Sequence, residues 1–256
     1  MTSETILEAR NLTKAFGGLI AVDNVNIKIQ KQTMHAIIGP NGAGKTTLFN
    51  LLSGVLPVTE GKVFYKEEDI TSLPPHKRAH LGIGRSYQIT NIFPNLTALE
   101  NIRLAAQAKG KDNFKIFSRA NDFHQYIEKA MAVLETVGLN GKETFLARDL
   151  PHGDKRKLEL GIMLACDPEL LLFDEPTAGM SSEQVPGLIE IIKKVVNTKS
   201  RTAILVEHRM DIVMSISDVI TVMNQGRILA EGSPREIATN EQVQIAYLGD
   251  LYGELA

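Results

Sequence analysis

Gly39-Pro40-Asn41-Gly42-Ala43-Gly44-Lys45-Thr46 carries the densest chemical signal in the chain, and Thr47 extends it. The glycines let successive backbone N–H groups converge on a small anion without Cβ atoms in the way. A lysine and a hydroxyl follow at once, so a fixed positive charge and a metal-binding oxygen stand at the same spot. This is the G-x-x-x-x-G-K-[ST] pattern, whose backbone cradles the phosphates of a nucleotide. Lys45 is placed to reach the β- and γ-phosphates, and Thr46 to put its hydroxyl on Mg²⁺. The pattern is diagnostic only between a strand and a helix. The apolar run 34–38 precedes it, and the following residues to Ser53 read as a helix whose N-terminus adds positive potential.

A second cluster lies far away in sequence. Leu170-Leu171-Leu172-Phe173 is an apolar run ending in Asp174 and Glu175. Parallel sheets bind ligands beyond the C-terminal ends of their strands, where the glycine-rich loop also lies. Asp174 is thus placed to help hold Mg²⁺, and Glu175 to orient or deprotonate an attacking water. His208 follows the apolar run 203–206 and Glu207, which brings an imidazole to the same edge to contact the γ-phosphate or the water. Gln88 follows residues 81–86, where an amide can touch Mg²⁺ and sense the γ-phosphate.

These groups require a sheet whose strands end together. Short strand-like runs cover 6–12, 25–29, 34–38 and 61–65, the first two alternating as half-exposed strands do. Further runs cover 170–173 and 202–206, and 219–223 and 227–230 flank Asn224-Gln225-Gly226 as a hairpin. Helices are predicted over 44–53, after Leu150, and over 183–197 with Ser181 or Ser182 as cap. Between 95 and 149 the apolar spacing is helical, with no convincing strand. The expected fold is α/β: a nucleoside-triphosphatase core (1–94 and 150–256) with a mostly parallel sheet and helices on both faces. An N-terminal antiparallel β subdomain and an inserted all-helical subdomain (95–149) complete one domain.

Bulk properties narrow the partners. Hydrophobic residues make up 43% and charged ones 23%, as in an ordinary globular chain. The net charge of −2 gives no electrostatic case for nucleic acid. The single cysteine, Cys166, rules out an internal disulfide and reads as packing. No apolar run approaches the roughly 20 residues that span a bilayer, and the first residues do not read as a signal peptide. A cytoplasmic location is expected, with any membrane role exercised through a partner.

Taken together, these residues resemble the ATP-binding subunits of ABC transporters. The resemblance spans essentially the whole chain. It rests on the phosphate loop, Gln88, Leu150-Pro151-His152-Gly153-Asp154, the strand ending in Asp174 and Glu175, Ala178-Gly179-Met180-Ser181, and His208. Phe16-Gly17-Gly18, Ile92-Phe93-Pro94-Asn95-Leu96-Thr97, Pro176-Thr177-Ala178-Gly179-Met180, Glu207-His208-Arg209-Met210-Asp211 and Ala246-Tyr247-Leu248-Gly249 look most like the subgroup serving branched-chain amino acid uptake, with urea and amide importers close behind. The resemblance implies ATP hydrolysis in a head-to-tail pair of cassettes. Each ATP would lie between the phosphate loop of one and the signature segment of the other, formed by Pro151, His152, Gly153 and Asp154. Phe16 would stack on adenine with Val22 nearby. The second cassette would be identical or paralogous. The resemblance further implies that transmembrane permease subunits would dock near 88–94, that a solute-binding protein would act indirectly, and that the protein would sit peripherally on the cytoplasmic face of the inner membrane.

One departure stands out. The family pattern carries serine where this chain has Pro151 and glutamine where it has Asp154. Proline supplies neither hydroxyl nor N–H, so contact with the γ-phosphate falls to the N–H groups of His152 and Gly153, and weaker binding is expected. Asp154 suits a helix N-terminus but adds negative charge near a phosphate unless Lys155 and Arg156 offset it. Among rival readings, a GTPase should offer Asn-Lys-x-Asp, which the chain lacks. A small-molecule kinase needs no second nucleotide-contacting segment. A soluble ABC ATPase of DNA repair or translation, and a non-enzymatic ATP-responsive scaffold, stay open here.

Overall fold

A computed structural model describes residues 4–86, 92–110, 124–198 and 201–253. Two sheets form its frame. Strands β1 (Thr5–Phe16), β2 (Leu19–Gln30), β4 (Glu60–Tyr65) and β5 (Glu68–Asp69) make an antiparallel sheet in the order β2-β1-β4-β5. The larger sheet has the order β10-β9-β3-β8-β7-β6, from β3 (Met34–Ile38), β6 (Ile83–Arg85), β7 (Leu170–Asp174), β8 (Thr202–Val206), β9 (Val219–Asn224) and β10 (Arg227–Gly232). All its pairings are parallel except β9 with β10. That pair turns on Gln225 and Gly226, both at positive φ, as a tight hairpin requires.

Burial explains the sheet. Every residue of β3, β7 and β8 is buried, as central parallel strands covered on both faces must be. Successive side chains leave opposite faces. Leu171, Phe173, Ala203 and Leu205 enter a core shared with the helices, and Leu170, Leu172, Ile204 and Val206 enter one shared with the antiparallel sheet. Helix α1 (Lys45–Leu52) lies in the latter, its Leu48, Phe49, Leu51 and Leu52 fully enclosed. Its C-terminal carbonyls, at Leu51 and Leu52, accept from the buried Arg78 of α2 (Pro75–Leu81), whose guanidinium also reaches Leu73, Ile70 and Thr71.

Residues 95–149 hold α3 (Ala98–Lys109), α4 (His124–Thr136) and a 3-10 turn, Ala147–Asp149. One isolated bridge, Thr97 to Leu146, is the only β pairing among the described residues there. Thr97 also caps α3, accepting from the Glu100 N–H at 3.1 Å. The insertion shares its apolar core with α5 (His152–Ala165) and α6 (Val185–Thr198). The latter begins two residues later than the sequence suggested, after a turn in which the Ser181 carbonyl accepts from Gln184 and Val185. Helices α7 (Met210–Ile216), α8 (Pro234–Ala238) and α9 (Glu241–Gly253) follow, unanticipated from sequence, and Val213, Ile237 and Val243 enclose a third core with Ala36 and Ile38.

Candidate active site

The loop between β3 and α1 is shaped by contacts that exclude side chains. A Cβ on Gly39 (φ 150) would lie 2.2 Å from the Met223 carbonyl oxygen, and one on Gly44 (φ 95) 2.4 Å from that of Ala21. Both positions must therefore be glycine. Gly226 ties the β9–β10 hairpin to the loop by donating to the Ala43 carbonyl at 3.0 Å. Lys45, 5% exposed, folds its ammonium over the loop onto the Gly39 and Pro40 carbonyls, both at 2.7 Å. Asn41, Gly42 and Thr46 are exposed, Thr47 is half-buried and Ala43 is buried. No side chain caps α1 and no acid stands in its first turn, which leaves the positive end of the helix available to an anion.

The acid pair ends the strand two places along the sheet. Asp174 is 4% exposed. Its N–H donates to the Ser86 hydroxyl at 3.1 Å, and its Oδ2 stands 3.9 Å from Arg85. The other carboxylate oxygen, Oδ1, is buried with no hydrogen-bond partner. Burial pushes this carboxyl above the usual range; Arg85 opposes the shift and Glu175 adds to it. An orphaned buried oxygen next to a phosphate loop fits a group that engages a hydrated cation. Arg85 also donates to Asn50 at 2.6 Å and to Ser53, and lies over Phe49, 4.8 Å from its centroid, so it ties β6 to α1.

Glu175 has left the strand direction, with φ 49, while its N–H still reaches the Val206 carbonyl at 2.9 Å. The turn swings its carboxylate toward the neighbouring strand, where Oε1 meets His208 Nε2 at 2.6 Å. A carboxylate only accepts, so Nε2 carries the proton. Asp174 and Val206 are paired in register, which explains why the residues just beyond them, Glu175 and His208, meet. The structure thus brings Lys45, Asp174, Glu175 and His208 to one edge of the sheet. Gln88 lies outside the described residues.

Other expected positions are distributed differently. Phe16, at the end of β1, is 46% exposed, with the Lys14 ammonium 5.0 Å from its ring centroid. Val22 is fully buried beneath the same sheet, so its side chain presents no surface to a base; β2 alternates, and Val22 takes an inward place. Pro151 is the N-cap residue of α5, with no side-chain cap bond. His152 is exposed, and Gly153 and Asp154 are buried. The basic groups beside Asp154 come from other positions than Lys155 and Arg156. Lys142 pairs with its Oδ2 and Lys157 approaches its Oδ1 at 3.7 Å. Lys155 instead donates to the Arg148 carbonyl, and Arg156 binds Glu159 and the Ala178 carbonyl. Sequence spacing offered no hint of Lys142, which arrives from the insertion, nor of Arg85, nor of the contacts that Glu207 and Thr177 make.

The chain matches the ABC transporter family over residues 22–178, and a family described as branched-chain amino acid ATP-binding cassette transporter over residues 227–251. It is 37% identical to the high-affinity branched-chain amino acid transport ATP-binding protein LivG of Escherichia coli, over 97% of this chain and 99% of LivG. The corresponding BraF of Pseudomonas aeruginosa is 39% identical, with the same coverage. Among solved structures, the ADP conformation of an ATP-binding cassette of an ABC transporter superposes with a TM-score of 0.84 at 30% identity, covering 96% of this chain and 100% of that one. A nucleotide-free cassette gives 0.82 at 30% identity, covering 95% and 98%. With the cradle, the acid pair and the imidazole at one sheet edge, and relatives matched along nearly the whole length, this chain belongs to the ABC transporter family as one of its ATP-binding cassettes.

Proposed function

We propose that this cassette hydrolyses ATP with Glu175 as the group that handles the attacking water, and that it drives uptake of branched-chain amino acids through a membrane permease. The observation that carries the mechanistic part is the 2.6 Å contact of Glu175 with His208 beside the Lys45 cradle. In this reading Lys45 and the loop N–H groups hold the β- and γ-phosphates and stabilise charge on the transferring phosphoryl group. Glu175 accepts the proton of the water. His208 holds that carboxylate in place and reaches the γ-phosphate. Thr46 and Asp174, with Gln88, would hold Mg²⁺; the unpartnered Asp174 oxygen supports this. Bound Mg²⁺ supplies neutralisation of phosphate charge. Phe16 stacks on adenine, its exposed ring being suited to that.

The site is completed by a second cassette, identical or paralogous. Its signature segment, at the start of α5, would cover the γ-phosphate with the N–H groups of His152 and Gly153. Support comes from the exposed, side-chain-free cap at Pro151. The names of LivG and BraF support the solute. Among the described residues no helix is long and apolar enough to cross a membrane, so the permease is proposed as a separate partner, with this chain peripheral on the cytoplasmic side and a solute-binding protein acting outside. The coordinated test is Glu175→Gln. ATP binding should persist while steady-state turnover falls at least about a hundredfold. Substantial residual hydrolysis removes Glu175 from the role of base. Copurification of a permease, and uptake of labelled leucine that depends on this chain, test the transport part.

A further inference from the structure

Glu207 is a carboxylate that the reaction scheme above does not use. It is 4% exposed. Its Oε2 accepts the His208 N–H at 2.9 Å, and its Oε1 accepts the Thr177 hydroxyl. Thr177 is itself 5% exposed and lies two residues past Glu175. Arg209 feels the charge of Glu207 but pairs with Asp211 at 2.8 Å. Among the described residues no lysine or arginine forms an ion pair with Glu207. A buried carboxylate without an ion pair costs stability unless charge-assisted hydrogen bonds offset it. Both of its bonds go to the two loops that carry the reacting pair.

We infer that Glu207 is a positioning residue that locks Glu175 against His208. The covalent and hydrogen-bonded path closes on itself: Glu175 to Thr177 along the chain, Thr177 to Glu207 by hydroxyl, Glu207 to His208 by backbone N–H, and His208 back to Glu175 by imidazole. The ends of β7 and β8 are held in register by their ladder only as far as the Glu175 N–H. Beyond that point the ring fixes their separation. The turn after Glu175 is otherwise held by two local bonds, Ala178 to the Glu175 carbonyl at 3.0 Å and Met180 to that of Thr177 at 3.1 Å, and by Arg156, which donates to the Ala178 carbonyl at 3.3 Å. A side chain with two acceptor oxygens in one plane is what two converging donors need. Glu207 touches no substrate. It acts through the geometry of the two residues that do, so the inference rests on the roles proposed for them.

The test uses the full chain and Mg-ATP. Glu207→Ala opens the ring, so kcat should fall about tenfold or more with KM within about twofold, since misplaced catalytic groups lose transition-state contacts and leave nucleotide binding intact. Glu207→Gln should restore kcat to within about threefold: its amide oxygen accepts from His208 N–H, and its N–H₂ donates to a rotated Thr177 hydroxyl. Thr177→Val, which keeps the side-chain shape, should lower kcat by about threefold or more with KM unchanged, and it decides the matter if the alanine variant does not fold. An unchanged kcat in Glu207→Ala, or in Thr177→Val, overturns the inference. So does a loss confined to KM, or a Gln variant as impaired as Ala. Glu175→Gln, assayed alongside, separates the two claims, because normal turnover there sinks the proposed mechanism whatever Glu207 does.

Discussion

Asp174 and Glu175 are adjacent acids with opposite surroundings. Asp174 is enclosed, with one oxygen lacking a partner, while the Glu175 side chain is 25% exposed and turned onto an imidazole. The division of labour proposed for them follows from the positive-φ turn at Glu175, which sends the two side chains to different surroundings. Asp174→Asn should leave ATP affinity without metal unchanged and raise the Mg²⁺ concentration for half-maximal hydrolysis by about tenfold or more, read from rate against metal concentration. At this scale the sequence was legible wherever chemistry is written contiguously, as in the loop 39–46 and the pair 174–175. It failed where a partner comes from elsewhere. Lys155 and Arg156 are the basic groups nearest Asp154 in sequence, yet helix geometry turns them toward Arg148 and Glu159, and Lys142 takes the carboxylate.

Helix α5 places the signature segment, and its start is unusual in having proline where a capping hydroxyl would serve. The first-turn N–H groups therefore lack a side-chain acceptor. Pro151→Ser should stabilise the fold by about 1 kcal/mol through a new cap, read from the urea midpoint, and raise ATPase activity or tighten ATP-driven pairing of cassettes. No change in either activity or pairing sinks the expectation that proline weakens contact with the γ-phosphate. Elements long enough to show a period were legible: β3 and β8 have the bounds expected, and α1 and α6 differ by a residue or two. Of those missed, α9 is thirteen residues long but carries no apolar stripe, and the others are short. Three residues of β6 and seven each of α2 and α7 give too little periodicity to read, and they exist because the sheet edge and the carbonyls around Arg78 demand cover.

For the molecule as a whole, one buried histidine links stability to pH. His35, 1% exposed on the central strand, contacts the Thr221 hydroxyl at 2.7 Å, which donates to Glu231 at 2.7 Å. Burial pushes its imidazole from 6.5 down to about 4. The native protein thus keeps His35 neutral through a range where the unfolded chain binds a proton. Stability rises with pH between about 4 and 6.5 and is progressively lost as pH falls through that window, by up to about 3 kcal/mol. His35→Gln should remove this part of the slope in denaturant melts at pH 5 and pH 7.

The strand order carries a consequence for synthesis. The loop after β3 and the acids after β7 are neighbours only because β8 lies between their strands and pairs with both. A nascent chain emerging from the ribosome possesses its glycine cradle within its first fifty residues, yet it has no adjoining strand on that side until Thr202–Val206 appears. Nucleotide capture is therefore expected only once translation has entered the last third of the message, and a truncated product carrying the whole cradle should fail to compete with finished cassettes for ATP.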